Sequence, residues 1–113
     1  MKINVGVDIE EVERFAEYIK DKKYLKRIFS DEEISYSIAR KNPLQHLAAS
    51  FAAKEAVWKA LSSKNRKFAI TDISIKRSKT GRPHVYIKNK RCKKIDISLS
   101  HTSKYVIAFA IVF

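Results

Sequence analysis

Cysteine, glycine and proline are nearly absent from this chain: its 113 residues include one Cys, two Gly and two Pro. A single thiol, Cys92, excludes an intrachain disulfide, and without paired Cys/His spacing nothing points to a zinc site. There is no glycine-rich loop of the Walker or dinucleotide type, so any bound phosphate would be held by side chains and not by a backbone cradle. The longest apolar run, residues 105–113, falls far short of the ~20 residues that span a bilayer. No signal peptide precedes the first apolar stretch, so the chain reads as cytoplasmic. Repeats and low-complexity segments are missing too. The length is that of one domain, 1–113. Such a domain buries roughly two thirds of its unfolded surface. That gives a core, but no deep private pocket of ~300–1,000 Å³. A cofactor-sized ligand would therefore occupy a cleft shared between subunits.

Acids run short after residue 40. Residues 1–40 carry nine acids and eight bases, residues 41–113 three acids and sixteen bases, and the whole chain stands at +12. Such a field attracts anions. Nucleic acid, phosphorylated small molecules, acidic proteins and anionic membranes all qualify, and charge alone does not choose.

What is present patterns as α+β. Residues 3–8 alternate as a strand, and a helix is expected from about 9 to 19 on the spacing of Val12, Phe15, Ala16 and Ile19. Residues 24–29 form a short helix. Ser30 and Glu33 form a capping box opening another that ends near Arg40. Residues 41–43 break the chain at Pro43, and 44–62 form the main helix. A polar loop (62–67) leads to strands at 70–77 and 84–88 around the 78–83 turn. A basic loop (89–94) and two strands, 95–101 and 105–113, follow. The later strands are expected to be antiparallel. The last is apolar on both faces, with a helix to cover one side and another subunit the other.

Asp8 closes the first strand, with Glu11 three residues on. That is the pattern of an aspartate N-cap with a capping-box partner; the alternative is a metal ligand at a strand end. Glu55 shares a helix face with Leu47, Phe51 and Trp58, where a carboxylate needs a cation or hydrogen bonds, or its pKa rises. Lys59, four residues on, supplies one partner; a metal would supply a better one. Two carboxylates, a lysine and a cationic surface suggest Mg²⁺ with phosphates. His101 ends a strand on the face of Ile95, Ile97 and Leu99, either as a structural hydrogen bonder or, with Thr102, as a phosphate contact. His46 and His84 have no partner that the sequence identifies. The basic loops lack the interleaved aromatics of a single-strand binder.

The segment GVDIEEVERF (6–15), followed about 40 residues later by FAAKEAVWKA (51–60), resembles the two signatures of the holo-acyl-carrier-protein synthase family, the bacterial 4′-phosphopantetheinyl transferases. Those are a G-[IV]-D segment and a [WF]-x-x-K-E-[AS]-x-x-K helix. SKTGRPHV (78–85) resembles the family's G-[KR]-P turn, and ISLSHTSKYVIAFAIV (97–112) its late strand pair. The resemblance spans nearly the whole chain and implies the 4′-phosphopantetheinyl transferase fold. It implies transfer of the phosphopantetheine arm of coenzyme A to a serine of apo acyl carrier protein in fatty acid biosynthesis, with 3′,5′-ADP leaving. It also implies a homotrimer with active sites at the subunit interfaces.

By position, Asp8 and Glu55 become Mg²⁺ ligands. Lys59 neutralises developing phosphoryl charge, and Lys54 helps to orient the site, so that Lys54, Glu55 and Lys59 all face it. Glu55 or a metal-bound water takes the serine proton. His101, Thr102, Arg82 and Pro83 hold the nucleotide end, from the neighbouring subunit, and Arg14 contacts the acidic carrier protein. One departure stands out. Many members carry Arg immediately before the Phe of the second motif; here it is Ser50, so a weaker contact or a Lys or Arg from a loop is expected instead. Two rival readings remain, a small basic nucleic-acid-binding domain and an inactive relative that only binds a carrier protein. Intact Asp8, Glu55 and Lys59 argue against the second.

Overall fold

The first strand, β1, runs Asn4–Glu11 in a computed structural model that describes residues 2–62 and 68–113. It therefore passes three residues beyond its expected end. Alternation simply continues: Asn4, Gly6, Asp8 and Glu10 face inward while Val5, Val7, Ile9 and Glu11 face out. Pairing with the last strand along this whole length keeps it extended. The helix expected over 9–19 shrinks to a 3₁₀ turn, Val12–Arg14, and one α-turn, α1 (Phe15–Tyr18). Asp8 is consequently mid-strand, and the N-cap reading of it is wrong.

Helix α2 (Lys22–Ile28) starts at Asp21, whose carboxylate accepts from the Lys23 and Tyr24 amides. Helix α3 (Asp31–Ile38) opens with the expected capping box of Ser30 and Glu33. Pro43 is the first residue of α4 (Pro43–Ser62), where its missing N–H has no partner to lose. Strands β2 (Ile73–Arg77), β3 (Pro83–Ile87), β4 (Lys90–Arg91), β5 (Ile95–His101) and β6 (Tyr105–Val112) follow. Residues 70–72, expected in β2, form a 3₁₀ turn. The two-residue β4 lies within the expected basic loop, where Lys88 and Asn89 at φ 49° and 69° make a tight hairpin turn. The loop at 62–67 falls almost wholly outside the described residues.

Every strand pairing is antiparallel, and the α+β class holds. The strands divide into two sheets, β1-β6-β5 and β2-β3-β4, with the first strand beside the last. Helix α4 crosses the inner face of the first sheet. Its buried residues, among them Leu47, Ala48, Ala52, Ala56, Val57 and Ala60, lie nearly all round it. That pattern belongs to a helix enclosed by its domain.

The closest approach is at Gly6. A Cβ there would meet the Ala56 carbonyl oxygen at 2.0 Å and the Ala60 nitrogen at 2.8 Å. The outer face of the same sheet is apolar and open in the single chain: Val5, Val7, Ile9, Tyr105, Ile107 and Phe109 are 43–60% exposed. One side of β6 is thus covered by a helix, as expected, and the other is free for a partner. Among the described residues no helix is long and apolar enough to cross a membrane.

Candidate active site

The Gly6 contact builds the site. With no side chain at Gly6, the α4 backbone rests on β1. Asp8, the next inward residue, then faces the turn of α4 that carries Glu55 and Lys59. The Lys59 amine donates to the Val7 carbonyl at 3.0 Å and lies 3.6 Å from Asp8 Oδ1. Asp8 is 13% exposed at the side chain, and its Oδ2 is buried without a hydrogen-bond partner. A buried carboxylate oxygen left unpaired is costly, and a cation or a proton shared with Glu10 would satisfy it. Glu55 is half-buried. Burial raises its pKa first and the Asp8 charge raises it further, while Lys59 and Arg14 pull it down. Lys59 thus bonds towards β1 and reaches Glu55 only through its charge.

Glu10 was not among the expected site residues, because a helix beginning at residue 9 would have turned it elsewhere. In the extended strand it is two residues from Asp8, on the same inner face, and only 8% exposed. Its pKa is pushed up to about 8, by burial first, then by hydrogen bonding to Asp8 and by the charge of Asp8, against the pull of Arg14. The Arg14 guanidinium meets Glu10 Oε1 at 2.5 Å and lies 5.3 Å from the Phe51 ring centroid. Arg14 therefore ends beside the carboxylates, with half its side chain open. The signal available in the sequence was Asp8-x-Glu10 at strand spacing.

Lys54 does not face this site. It is 1% exposed and points into the core on the other side of α4, donating to Glu33 Oε1 at 2.9 Å and to the Ile28 carbonyl at 2.5 Å. Glu33 also accepts from the Ser30 and Ile75 amides at 2.8 Å each. Adjacent helix positions differ by about 100°, so Lys54 and Glu55 cannot share a face. Lys54 instead ties α4 to α3 and β2. Ser50, where an arginine was expected, is buried as well.

The four nucleotide-end candidates do not meet within one chain. Arg82 and Pro83 line a cavity of about 370 Å³ with Arg91, Lys93, Asp96 and Phe113. His101 and Thr102 line another of about 280 Å³ with Ile9, Tyr105 and Ile107. Arg82 lies 3.5 Å from Asp96, near the start of β5, whereas His101 ends that strand. Five residue steps along the strand separate Asp96 from His101, roughly 17 Å. Among the described residues no three His, Cys, Asp or Glu side chains are grouped to hold a metal unaided. Two carboxylates are nonetheless enough for Mg²⁺, which usually takes one or two and fills its remaining positions with phosphate oxygens and water. The donor set and the unpaired Asp8 oxygen fit that ion.

Residues 4–110 match the model of the 4′-phosphopantetheinyl transferase superfamily. The chain is 43% identical to the holo-[acyl-carrier-protein] synthase of Thermodesulfovibrio yellowstonii over 110 residues, 96% of each chain. It is 40% identical to the protein of that name from Caldanaerobacter subterraneus over 120 residues, covering 98% of this chain and 94% of the relative. Among solved structures it is similar to the Helicobacter pylori holo-[acyl-carrier-protein] synthase in complex with coenzyme A, with a TM-score of 0.78 and 26% identity. That match covers 96% of this chain and 99% of the other.

Proposed function

The chain belongs to the 4′-phosphopantetheinyl transferase superfamily, and we propose that it moves the 4′-phosphopantetheine arm of coenzyme A onto a serine of apo acyl carrier protein, in fatty acid biosynthesis. The observation that carries this reading is the seat of α4 on Gly6, which sets Glu55 and Lys59 against Asp8 and its unpaired oxygen. In the reaction the serine Oγ–P bond forms and the pyrophosphate P–O bond breaks. 3′,5′-ADP leaves with the electron pair.

Asp8 and Glu55 would hold Mg²⁺. When bound, the ion supplies positive charge to the pyrophosphate oxygens. Lys59, anchored at the Val7 carbonyl and otherwise open, directs a second positive charge at the same place. Phosphoryl transfer rests mostly on such positioning and electrostatics. Glu55 would accept the proton that the serine loses. Arg14, beside these groups and half-open, meets the acidic carrier protein, which the net charge of +12 steers in.

The apolar outer face of β1 and β6 supports a homotrimer. So does the separation of Arg82 and Pro83 from His101 and Thr102, since a site at a subunit interface can draw these pairs from different places. All four would hold the nucleotide end of coenzyme A. We read the protein as cytoplasmic, like its two substrates.

Intact-mass spectrometry of an apo acyl carrier protein, incubated with this protein, coenzyme A and Mg²⁺, tests the reading. A gain of one phosphopantetheine that disappears with EDTA and with Glu55→Ala is expected. No gain with folded protein and several carriers would refute it.

A further inference from the structure

No acid falls between Asp72 and Asp96, while nine bases do. This stretch folds into the second sheet, β2-β3-β4, and the turns beside it. Ile73, Ile75 and Val85 point inward and are buried. Side chains alternate along a strand, so Lys76, His84 and Tyr86 point the other way. Tyr86 pairs in register with Arg91, and Lys76 with His84. The fold thereby sets one ring among cations on a single face. The Lys76 ammonium lies 4.4 Å from the Tyr86 ring centroid, and the Arg91 guanidinium donates to His84 Nδ1 at 3.1 Å. Arg91 is exposed, as is Lys88 in the turn that follows β3.

Few of these charges are neutralised within the chain. Among the described residues only Lys76 and Arg82 of the nine come within 4.0 Å of a carboxylate, those of Glu32 and Asp96, at 3.5 Å each. Both acids are more than half exposed, so the two pairs are weak. Like charges held together repel, and a partner of opposite sign relieves that. Lysines on a sheet edge also discourage edge-to-edge pairing, but that purpose needs no ring among them.

The ring decides which polyanion fits. An acidic protein surface offers carboxylates and gains little from an aromatic. A single-stranded nucleic acid offers phosphates to the cations and a base to stack on the ring, and sheet faces with exposed aromatics take bases in this way. The basic loops have no aromatic of their own, so the combination exists only where β3 pairs with β2 and β4.

We propose that the outward face of β2-β3-β4, built from Lys76, His84, Tyr86 and Arg91, docks single-stranded nucleic acid, with phosphates against the cations and one base on Tyr86. This face looks away from α4, and so from Asp8, Glu55 and Lys59. Docking there is a function separate from the transfer and does not depend on it.

Fluorescence anisotropy of the full-length protein with labelled oligouridine and oligothymidine of about twelve nucleotides, over a range of KCl, tests this, and the two arms tell RNA from DNA. At least one should bind, with log affinity falling against log salt by about 0.7 for each phosphate contacted. Lys88→Gln/Arg91→Gln, at two exposed positions, should weaken binding and make that slope shallower by about 1.4. Tyr86→Ala should weaken it ~10-fold with the slope unchanged, and Tyr86→Phe should bind like wild-type. Transfer to the carrier protein should be unchanged in both Tyr86 variants. Lys22→Gln/Lys23→Gln, the same loss of charge on α2, should leave nucleic-acid binding nearly as it was. No binding of either strand at ~50 mM KCl would overturn the proposal. Equal weakening by the α2 variant would overturn it as well, since the attraction would then be diffuse. Charge dependence without any effect of Tyr86→Ala would give the face to an acidic protein instead. The two charge variants decide even where Tyr86→Ala does not fold.

Discussion

Replacing Gly6 by alanine adds one methyl group at the point where the site is assembled. The new Cβ would lie 2.0 Å from the Ala56 carbonyl oxygen, about 1.4 Å inside the 3.4 Å at which ordinary contact begins. Both atoms it meets most closely, Ala56 O and Ala60 N, are backbone. No rotamer change relieves the clash, and trimming Ala56 to glycine would not either. Helix α4 must back away from β1 by something near 1 Å. Overpacking of this kind costs about 1–3 kcal/mol, and a rigid obstacle on both sides puts Gly6→Ala at the upper end. For a domain of this size that lowers Tm by ~10 °C or more. The retreat also carries Glu55 and Lys59 away from Asp8, and a 1 Å misplacement costs on the order of 100-fold in rate. Thermal unfolding and steady-state transfer to an apo carrier protein read the two effects separately. If Gly6→Ala kept wild-type Tm and wild-type kcat/KM, helix α4 would not rest on Gly6 and would not be held there against Asp8.

Lys54 and Glu55 are neighbours in sequence and should behave oppositely. Lys54→Met leaves the Glu33 carboxylate buried without its cation, which should cost ~3–5 kcal/mol in urea unfolding; Glu55→Gln should change stability little and abolish turnover. Glu10 keeps its proton up to about pH 8 in the fold but only to about 4.5 when unfolded. Between those values the native state binds more protons, so the stability of the metal-free protein should fall as pH rises. Glu10→Gln should flatten that slope, and Mg²⁺, competing with the proton, should raise Tm more at pH 8 than at pH 6. Phe109→Glu, a charge on the open apolar face, should convert a trimer to a monomer in sedimentation velocity and lower transfer; a wild-type monomer at micromolar concentration would sink the shared-site reading.

Most elements were legible because they carry local signals. The Ser30–Glu33 box, the alanine-rich α4 and the alternation of β5 each state their own structure. The end of β1 did not, because EEVER (10–14) is acidic and helix-like on its own. Only its pairing with β6 decides the matter, and that partner lies about 95 residues away. The same error hid Glu10 and made Asp8 look like a cap. The short β4 gave too few residues to alternate.

The motifs proposed Asp8, Glu55 and Lys59 for the site, and the fold brings the three together. Spacing could not show that Lys54 turns inward, since its partner Glu33 comes from another helix. Nor could it show that Tyr36 gathers Arg40, His46 and Arg77 from three elements. These are tertiary facts with no local signature.

In the proposed site, Asp8 and Glu55 share one divalent cation at the foot of α4. A crystal structure of the protein with coenzyme A and Mn²⁺, with anomalous data collected for manganese, tests it most directly. One strong anomalous peak bonded to Asp8 Oδ2 and Glu55, with pyrophosphate oxygens completing the coordination, is the predicted result. Manganese elsewhere, or coenzyme A bound in full with no metal at these carboxylates, would contradict the account.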